Sequence, residues 1–510
     1  MKTKILGIAA SLRNARWGIG NRQLIEELTK CHTEAELKKY LDQQAQLHLE
    51  NFIDAGREEG LSFDETYKNL KKLKGNRGLS NSEVALAAGL WSAEKSGCEI
   101  EHISLSEYFP ANGVNRKIDE LKDHLRNADG FMLSTPVYFG DRGSLAQALV
   151  DVIQNDKKLQ TELRDKIYAG IAVGAKRNGG QETTLIYQLL DFVNAGFLGV
   201  GNDSDTTSQY GGTGHAGDVG TMSRDDYGLE TSMGTGRRIS HVASIAKLGK
   251  KTQLKGKVRV IFWVLQDKQN QALDYVNEIT EQFATEIDPT VIDVTGKYIS
   301  RCLACDICPT HIDVDNVYRC IIPSGKRDQM GDLHSQLLNH DAIIPVVFSP
   351  ANREGIASNY QSFIERTRYL RRGDYVLGDV LVAPLLLEDL GVNDNMHIRM
   401  LTSMIRHHTI LSKPMISYID NNKMLNSSIV KNQFKDYVST AKVLVSGKLK
   451  SFADSQDTGL SKYNPVGYIL SAEKDKEDEK LKTRMKMTSD RNNKMKKDAQ
   501  SRLRKEKLAT

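Results

Sequence analysis

Four cysteines fall within nineteen residues, Cys302, Cys305, Cys308 and Cys320, in the pattern C-x2-C-x2-C-x11-C. Thiolates three residues apart wrap one face of a compact loop, as iron–sulfur ligation requires. Structural zinc more often pairs one C-x2-C with a distant second pair. A [4Fe–4S] cluster is therefore the first reading, with zinc or no metal as the alternatives. The gap before Cys320 is long, and His311 is an alternative fourth ligand. The other two cysteines, Cys31 and Cys98, stand alone. This is not a dispersed disulfide framework, and a clustered site in a reducing compartment fits better. His407-His408 reads as a helix end rather than a metal pair.

Three loops in the first half carry a second chemistry. Ala10-Ser11-Leu12-Arg13-Asn14 follows an apolar run and offers small and hydroxyl residues, so backbone N–H groups can approach a phosphate. Ser134-Thr135-Pro136-Val137-Tyr138-Phe139-Gly140 has a stiffening proline and two aromatic residues that can lie beside a planar ring. Gly174-Ala175-Lys176-Arg177-Asn178-Gly179-Gly180-Gln181-Glu182 has paired glycines for close backbone approach, and Asn178 or Gln181 to hydrogen-bond a ring edge. In an open parallel sheet such loops lie at the carboxyl ends of strands, where ligands bind.

Together these loops resemble the NADPH-dependent FMN reductase family, and the cysteine segment resembles that of the iron–sulfur flavoproteins of the same superfamily. A Gly-rich stretch, Gly211-Gly212 through Asp218 and then Gly234-Thr235-Gly236-Arg237-Arg238, adds to the likeness. The resemblance covers about residues 1–15 and 76–247. It implies a flavodoxin-like fold and non-covalent FMN. The phosphate would lie at Ser11, Arg13 and the helix start Ser80-Asn81-Ser82. The isoalloxazine would lie against Thr135, Pro136, Val137, Tyr138, Phe139 and Gly140, and against Asn178, Gly179, Gly180 and Glu182. Ala10 stands where the family usually has Gly, and about sixty residues are inserted within the phosphate loop. The insertion, about 15–76, is expected to project from the flavin mouth as a surface excursion, a lid or a docking element.

Apolar runs with β-branched residues alternate with helical periods along the chain, which indicates parallel crossover units. The expected strands include 4–10, 99–105, 130–134 and 169–173, with helices over 84–95, 117–127, 144–154, 182–195 and 236–247 and a long loop over 201–236. A second round starts at Val258. Leu121–Leu125 and Ala128–Gly130 precede a matching Leu333–Leu337 and His340–Ala342 by 212 positions, and Thr135-Pro136 precedes Ser349-Pro350 by 214. The expected fold is α/β: two tandem flavodoxin-like doubly wound parallel-sheet domains, 1–250 with the FMN site and 256–450 with the cysteines, then a linker and charged tail over 451–510. The second half lacks intact flavin loops, since Leu265–Asn270 has no phosphate-loop residues and Glu388–Asp394 is acidic.

The chain has 510 residues, 39% hydrophobic and 26% charged, which excludes collagen-like and wholly disordered classes. No apolar run reaches the ~18 residues a membrane helix needs. The first residues imitate a short signal peptide, but a buried strand explains them, and a cytoplasmic location is expected. The net charge of +5 is carried by residues 471–510, which hold 14 Lys/Arg and 8 Asp/Glu, a net of +6. The body argues against nucleic acid, and the tail is expected to be a solvated helix or disordered, and dispensable for folding and flavin content. The expected activity is NAD(P)H-dependent: hydride enters FMN and electrons leave through a cluster to an unknown acceptor. The alternatives are a plain flavin or quinone reductase with structural cysteines, and a non-catalytic electron-delivery partner of a larger enzyme. A protein partner at the insertion or tail, and homo-oligomerisation, stay open.

Overall fold

The computed structural model describes residues 2–12, 19–54, 60–72, 78–114, 116–203, 210–252, 255–305, 318, 320–325, 328–371, 375–454 and 477–508. It divides into two compact units, Met1–Ala243 and Ser244–Thr510. Among the described residues no helix is long and apolar enough to cross a membrane.

In the first unit the apolar run KILGIA forms β1 (Lys4–Ala9), buried over most of its length. It lies between β2 (Glu99–Ser104) and β3 (Gly130–Tyr138), parallel to both. Next to β3 runs β4 (Ile167–Gly174). The fifth position is shared by β5 (Leu198–Gly199) at the start of β4 and β6 (Gly212–His215) at its end. The order is therefore second, first, third, fourth, fifth, all parallel. Its chain reversal falls between β1 and β3, which makes their carboxyl ends the switch-point crevice.

The insertion forms α1 (Ile19–Lys30), α2 (Glu34–Asp54) and α3 (Phe63–Lys72). It does not simply project. Leu24 and Leu28 of α1 and Leu37, Leu41 and Ala45 of α2 are buried. Trp91 of α4 (Asn81–Lys95) donates its indole N–H to Cys31 O at 2.8 Å. Gly78 passes so close to α2 that a Cβ there would stand 2.3 Å from Gln44 O. An apolar stripe on α1 and another on α2 bind the insertion to the body. The remaining crossovers include α5 (Ile118–Asn127), α6 (Ser144–Gln154) and α7 (Gln181–Asn194).

The expected loop over 201–236 is corrected at its end, because α8 (Asp226–Thr252) starts ten residues early. Three glycines, Gly228, Gly234 and Gly236, lie in its first eleven residues. At Gly236 the reason is packing, since a Cβ would stand 2.0 Å from Gly89 O of α4. Loop-like composition here marks two helix backbones in close approach.

The second unit repeats the strand order. Its β7 (Val258–Lys268) lies between β8 (Ile287–Asp293) and β9 (Ala342–Ser349). Beside β9 run β10 (Leu381–Val382) and β11 (Leu385–Asp389), one position interrupted at Ala383-Pro384. The last position holds β12 (Ile410–Leu411) and β13 (Met415–Asp420). Its helices include α9 (Gln271–Gln282), α10 (Met330–Leu337), α11 (Tyr360–Arg366), α12 (Met396–Met404) and α13 (Ser427–Asp454).

The tail is a helix, but not a wholly solvated one. Residues Glu477–Leu508 form α14. Its Met495, Ala499 and Leu503 pack on Val445, Leu449 and Phe452 of α13. Arg502 makes a two-pronged ion pair with buried Asp341, at 2.9 and 3.0 Å. Glu506 accepts the N–H groups of Lys255 and Gly256. A four-residue apolar spacing within a highly charged helix suffices to bury one stripe.

Candidate functional site at the carboxyl edge of the first sheet

The three loops converge at the crevice between β1 and β3. Ala10 donates its N–H to Ser134 O at 2.8 Å, and Ser134 Oγ donates to Ser82 O at 2.7 Å. These bonds bring Ser11, Ser82 and the end of β3 around the start of α4. Ser11, Ser80 and Ser82 are buried. Ser80 and Glu83 form a capping box, with Ser80 N and Oγ both donating to Glu83 Oε2. The remaining first-turn N–H groups and the helix dipole make this terminus suited to an anion. Asn81 ties the same terminus to the Gly-rich segment, donating to Asp218 O at 2.9 Å.

The second and third loops touch. A Cβ on Gly180 would stand 2.9 Å from Gly140 Cα and 3.2 Å from Val137 Cγ1, and Gly180 has φ +100°. Phe139 and Asn178 also take left-handed φ, 52° and 61°. Tyr138 is half exposed and Phe139 fully exposed. Thr135 is buried and shapes its own loop, accepting Gly143 N–H and donating to Pro136 O. The Gln181 side-chain NH2 donates to Lys176 O and Gly214 O and so braces the loop, while its Oε1 is buried without a hydrogen-bond partner. Glu182 sits exposed in the first turn of α7. Arg13 lies outside the described residues.

Sequence reasoning missed a buried polar group behind this edge. His102 of β2 lies 3.9 Å from Glu83, both side chains buried, and its Nδ1 bonds Asn21 of α1 at 2.9 Å. The insertion thus reaches the helix that opens the crevice. His102 was legible only as a strand residue, because the pairing depends on how α1 packs.

The matching edge of the second unit is built differently. At the start of α9 the Asp267 carboxylate accepts the N–H groups of Ala272 and Leu273, at 2.9 and 3.0 Å. An internal anion therefore holds the place an external one would take. Burial, and then Asp394, raise the Glu388 carboxyl above its usual range. A bound phosphate is disfavoured here.

The cysteine segment is partly described. Cys302, Cys305 and Cys320 are half-buried free thiols; Cys308 and His311 lie outside the described residues. Among the described residues no three metal-ligating side chains come together. The segment is braced by Arg366 of α11, which pairs with Asp328, donates to Ser300 O and lies 3.9 Å from Cys320 Sγ. Burial works to raise the Asp328 carboxyl, yet Arg366 and the Ser300 and Met330 amides outweigh it and hold it below its usual value. His407 is buried and neutral, pushed down to about 3 by burial and by Arg371, and bonds Thr367 at 3.1 Å. It is not placed as a metal ligand.

A family model for NADPH-dependent FMN reductases matches residues 75–200. An iron–sulfur flavoprotein of Methanocaldococcus jannaschii is 34% identical over 180 residues, 33% of this chain and 92% of that protein. An iron–sulfur flavoprotein of Methanosarcina thermophila is 27% identical over 32% of this chain and 89% of its own length. One from Archaeoglobus fulgidus is 23% identical over 35% and 96%.

Proposed function

The chain belongs to the family of NADPH-dependent FMN reductases and iron–sulfur flavoproteins, and from that premise we propose that it oxidises a reduced nicotinamide on FMN held in the first unit. At the coarser level it is a flavin oxidoreductase. One observation supports the placement: the second and third loops, which follow the carboxyl ends of the neighbouring strands β3 and β4, meet through backbone, Gly180 against Gly140. FMN, when bound, supplies the hydride and single-electron chemistry. Ser11, Asn81 and Ser82, with Arg13, would hold its phosphate, and Ser80, whose N–H and hydroxyl both donate to Glu83, would fix the start of that helix. Thr135, Pro136 and Val137 fix the second loop, and Tyr138, Phe139 and Gly140 would flank the ring. Asn178, Gly179 and Gly180 would approach it from the third loop, with Glu182 at the rim. Glu83 and His102 position the helix from behind. The shared strand order supports reading the units as tandem flavodoxin-like domains, of which the second has replaced its phosphate site with Asp267.

A second reading routes electrons onward through a cluster on Cys302, Cys305, Cys308 and Cys320. The cysteine spacing favours it, as does the likeness to iron–sulfur flavoproteins. The described cysteines do not by themselves assemble a metal site. An anaerobic spectrum of the purified protein with flavin, iron and sulfide analysis tests both readings. Stoichiometric FMN with NADPH or NADH oxidation is expected. Absence of flavin sinks the first reading, and absence of iron sinks the second.

A further inference from the structure

The insertion meets the first turn of α4 from two sides. From α1, Asn21 Oδ1 accepts from His102 Nδ1 at 2.9 Å, and the opposite ring nitrogen lies 3.9 Å from Glu83 Oε1. Glu83 holds the Ser80 N–H and hydroxyl through its other oxygen. From α2, the Gln44 carbonyl accepts the N–H of Leu79, the residue before Ser80, at 3.0 Å. Gly78 and Gly220 lie against the same stretch of α2. A Cβ on the first would stand 2.3 Å from Gln44 O, and a Cβ on the second 2.9 Å from Ala45 O. Gly220 belongs to the Gly-rich segment that Asn81 ties down at Asp218 O and at the Met222 N–H. Both chain segments that flank the turn are therefore seated on the insertion.

We propose that the insertion is the seat of the flavin phosphate: α1, acting through Asn21 and His102, and α2, acting through Gln44, hold the first turn of α4 in the pose that grips it. This rests on the FMN placement proposed above. A helix terminus favours an anion only over its first turn, and donors must be held to roughly 0.5 Å for their bonds to form together. Glu83 lies buried in that same turn. Its carboxylate has to face Ser80 rather than the anion, and the His102 ring behind it, oriented by Asn21, keeps it there. The second unit supplies the contrast. Its first strand passes to α9 through Gln269-Asn270 alone, and Asp267 caps that terminus. The insertion accompanies the terminus proposed for an outside anion and is absent where the chain supplies its own. Asn21, His102 and Gln44 are positioning residues, and none of them is placed on the flavin.

The test strips flavin from the full chain and titrates the apoprotein with FMN and with riboflavin, which lacks the phosphate, following the quenching of flavin fluorescence. The wild-type chain should bind FMN more tightly than riboflavin. Asn21→Ala, on a partly exposed side chain, should weaken FMN about tenfold and leave riboflavin unchanged. Gly78→Ala, which pushes α2 off the turn, should act in the same way and more strongly. If circular dichroism shows Gly78→Ala unfolded, Asn21→Ala alone decides. FMN binding untouched by Asn21→Ala overturns the inference. Equal weakening of both flavins overturns it too, because that is a loss of fold and not of grip on the phosphate. A wild-type chain that binds no flavin sinks the FMN reading itself. A wild-type chain that binds FMN and riboflavin equally keeps that reading and overturns the phosphate seat.

Discussion

At Gly180 two demands meet in one residue. Its φ of +100° is costly for any side chain, by about 1–2 kcal/mol. A Cβ would also push against Gly140 backbone, which has no flexible end to yield. Gly180→Ala should therefore separate the second and third loops and weaken flavin binding by at least about tenfold, measured as flavin-to-protein ratio after dialysis. Retention of full flavin would remove these loops from the site. His407 makes a different residue-scale prediction. Folded, it is held near 3, whereas an unfolded histidine titrates near ~6.5. Between these values the unfolded chain binds the proton and the folded one does not. Stability should fall as pH drops from about 6.5 towards 3, by up to ~1.4 kcal/mol per pH unit from this group. Urea unfolding at pH 7 and pH 5, with His407→Gln flattening the difference, checks the sign.

Elements show where periodicity informs and where it misleads. The strand at Lys4–Ala9 and the helix at Ser144–Gln154 follow from the hydrophobic pattern alone, because each buries one continuous face or run. The start of α4 is equally legible, since Ser80 and Glu83 stand three apart in a capping box. Residues 226–236 were not, because their glycines look like loop unless the facing Gly89 is known. The second-unit phosphate loop was legible as lost, but its replacement was not. That Asp267 turns onto the start of α9 depends on the strand's exit geometry. Asp267→Ala should cost about 1 kcal/mol of stability through the lost cap, read by thermal unfolding, while flavin content stays unchanged. A loss of flavin in this variant would move the cofactor site to the second unit.

For the molecule as a whole, the most consequential misreading of composition concerns the tail. Residues 471–510 carry a net +6 and few apolar side chains, and bulk composition of that kind describes a solvated segment. Folding responds to position instead. Met495, Ala499 and Leu503 recur every four residues, so they form one stripe, and Ala499 is buried where it meets α13. Arg502 falls on the same side and reaches Asp341, whose carboxyl lies well inside the unit. Burial works to raise that carboxyl, but Arg502 and then Arg259 hold it below its usual value. Removing the tail therefore strips cover from Val445, Leu449 and Phe452 and leaves a buried carboxylate with Arg259 alone. The expected cost is on the order of 3 kcal/mol, a fall of about 5–10 °C in melting temperature for a unit of this size. Truncation after residue 470 should lower the melting temperature by this amount and leave the flavin-to-protein ratio unchanged, because none of the proposed flavin residues lies beyond 182. An unchanged melting temperature would return the tail to a solvated appendage. A parallel loss of flavin would show that the two units do not keep their stabilities apart.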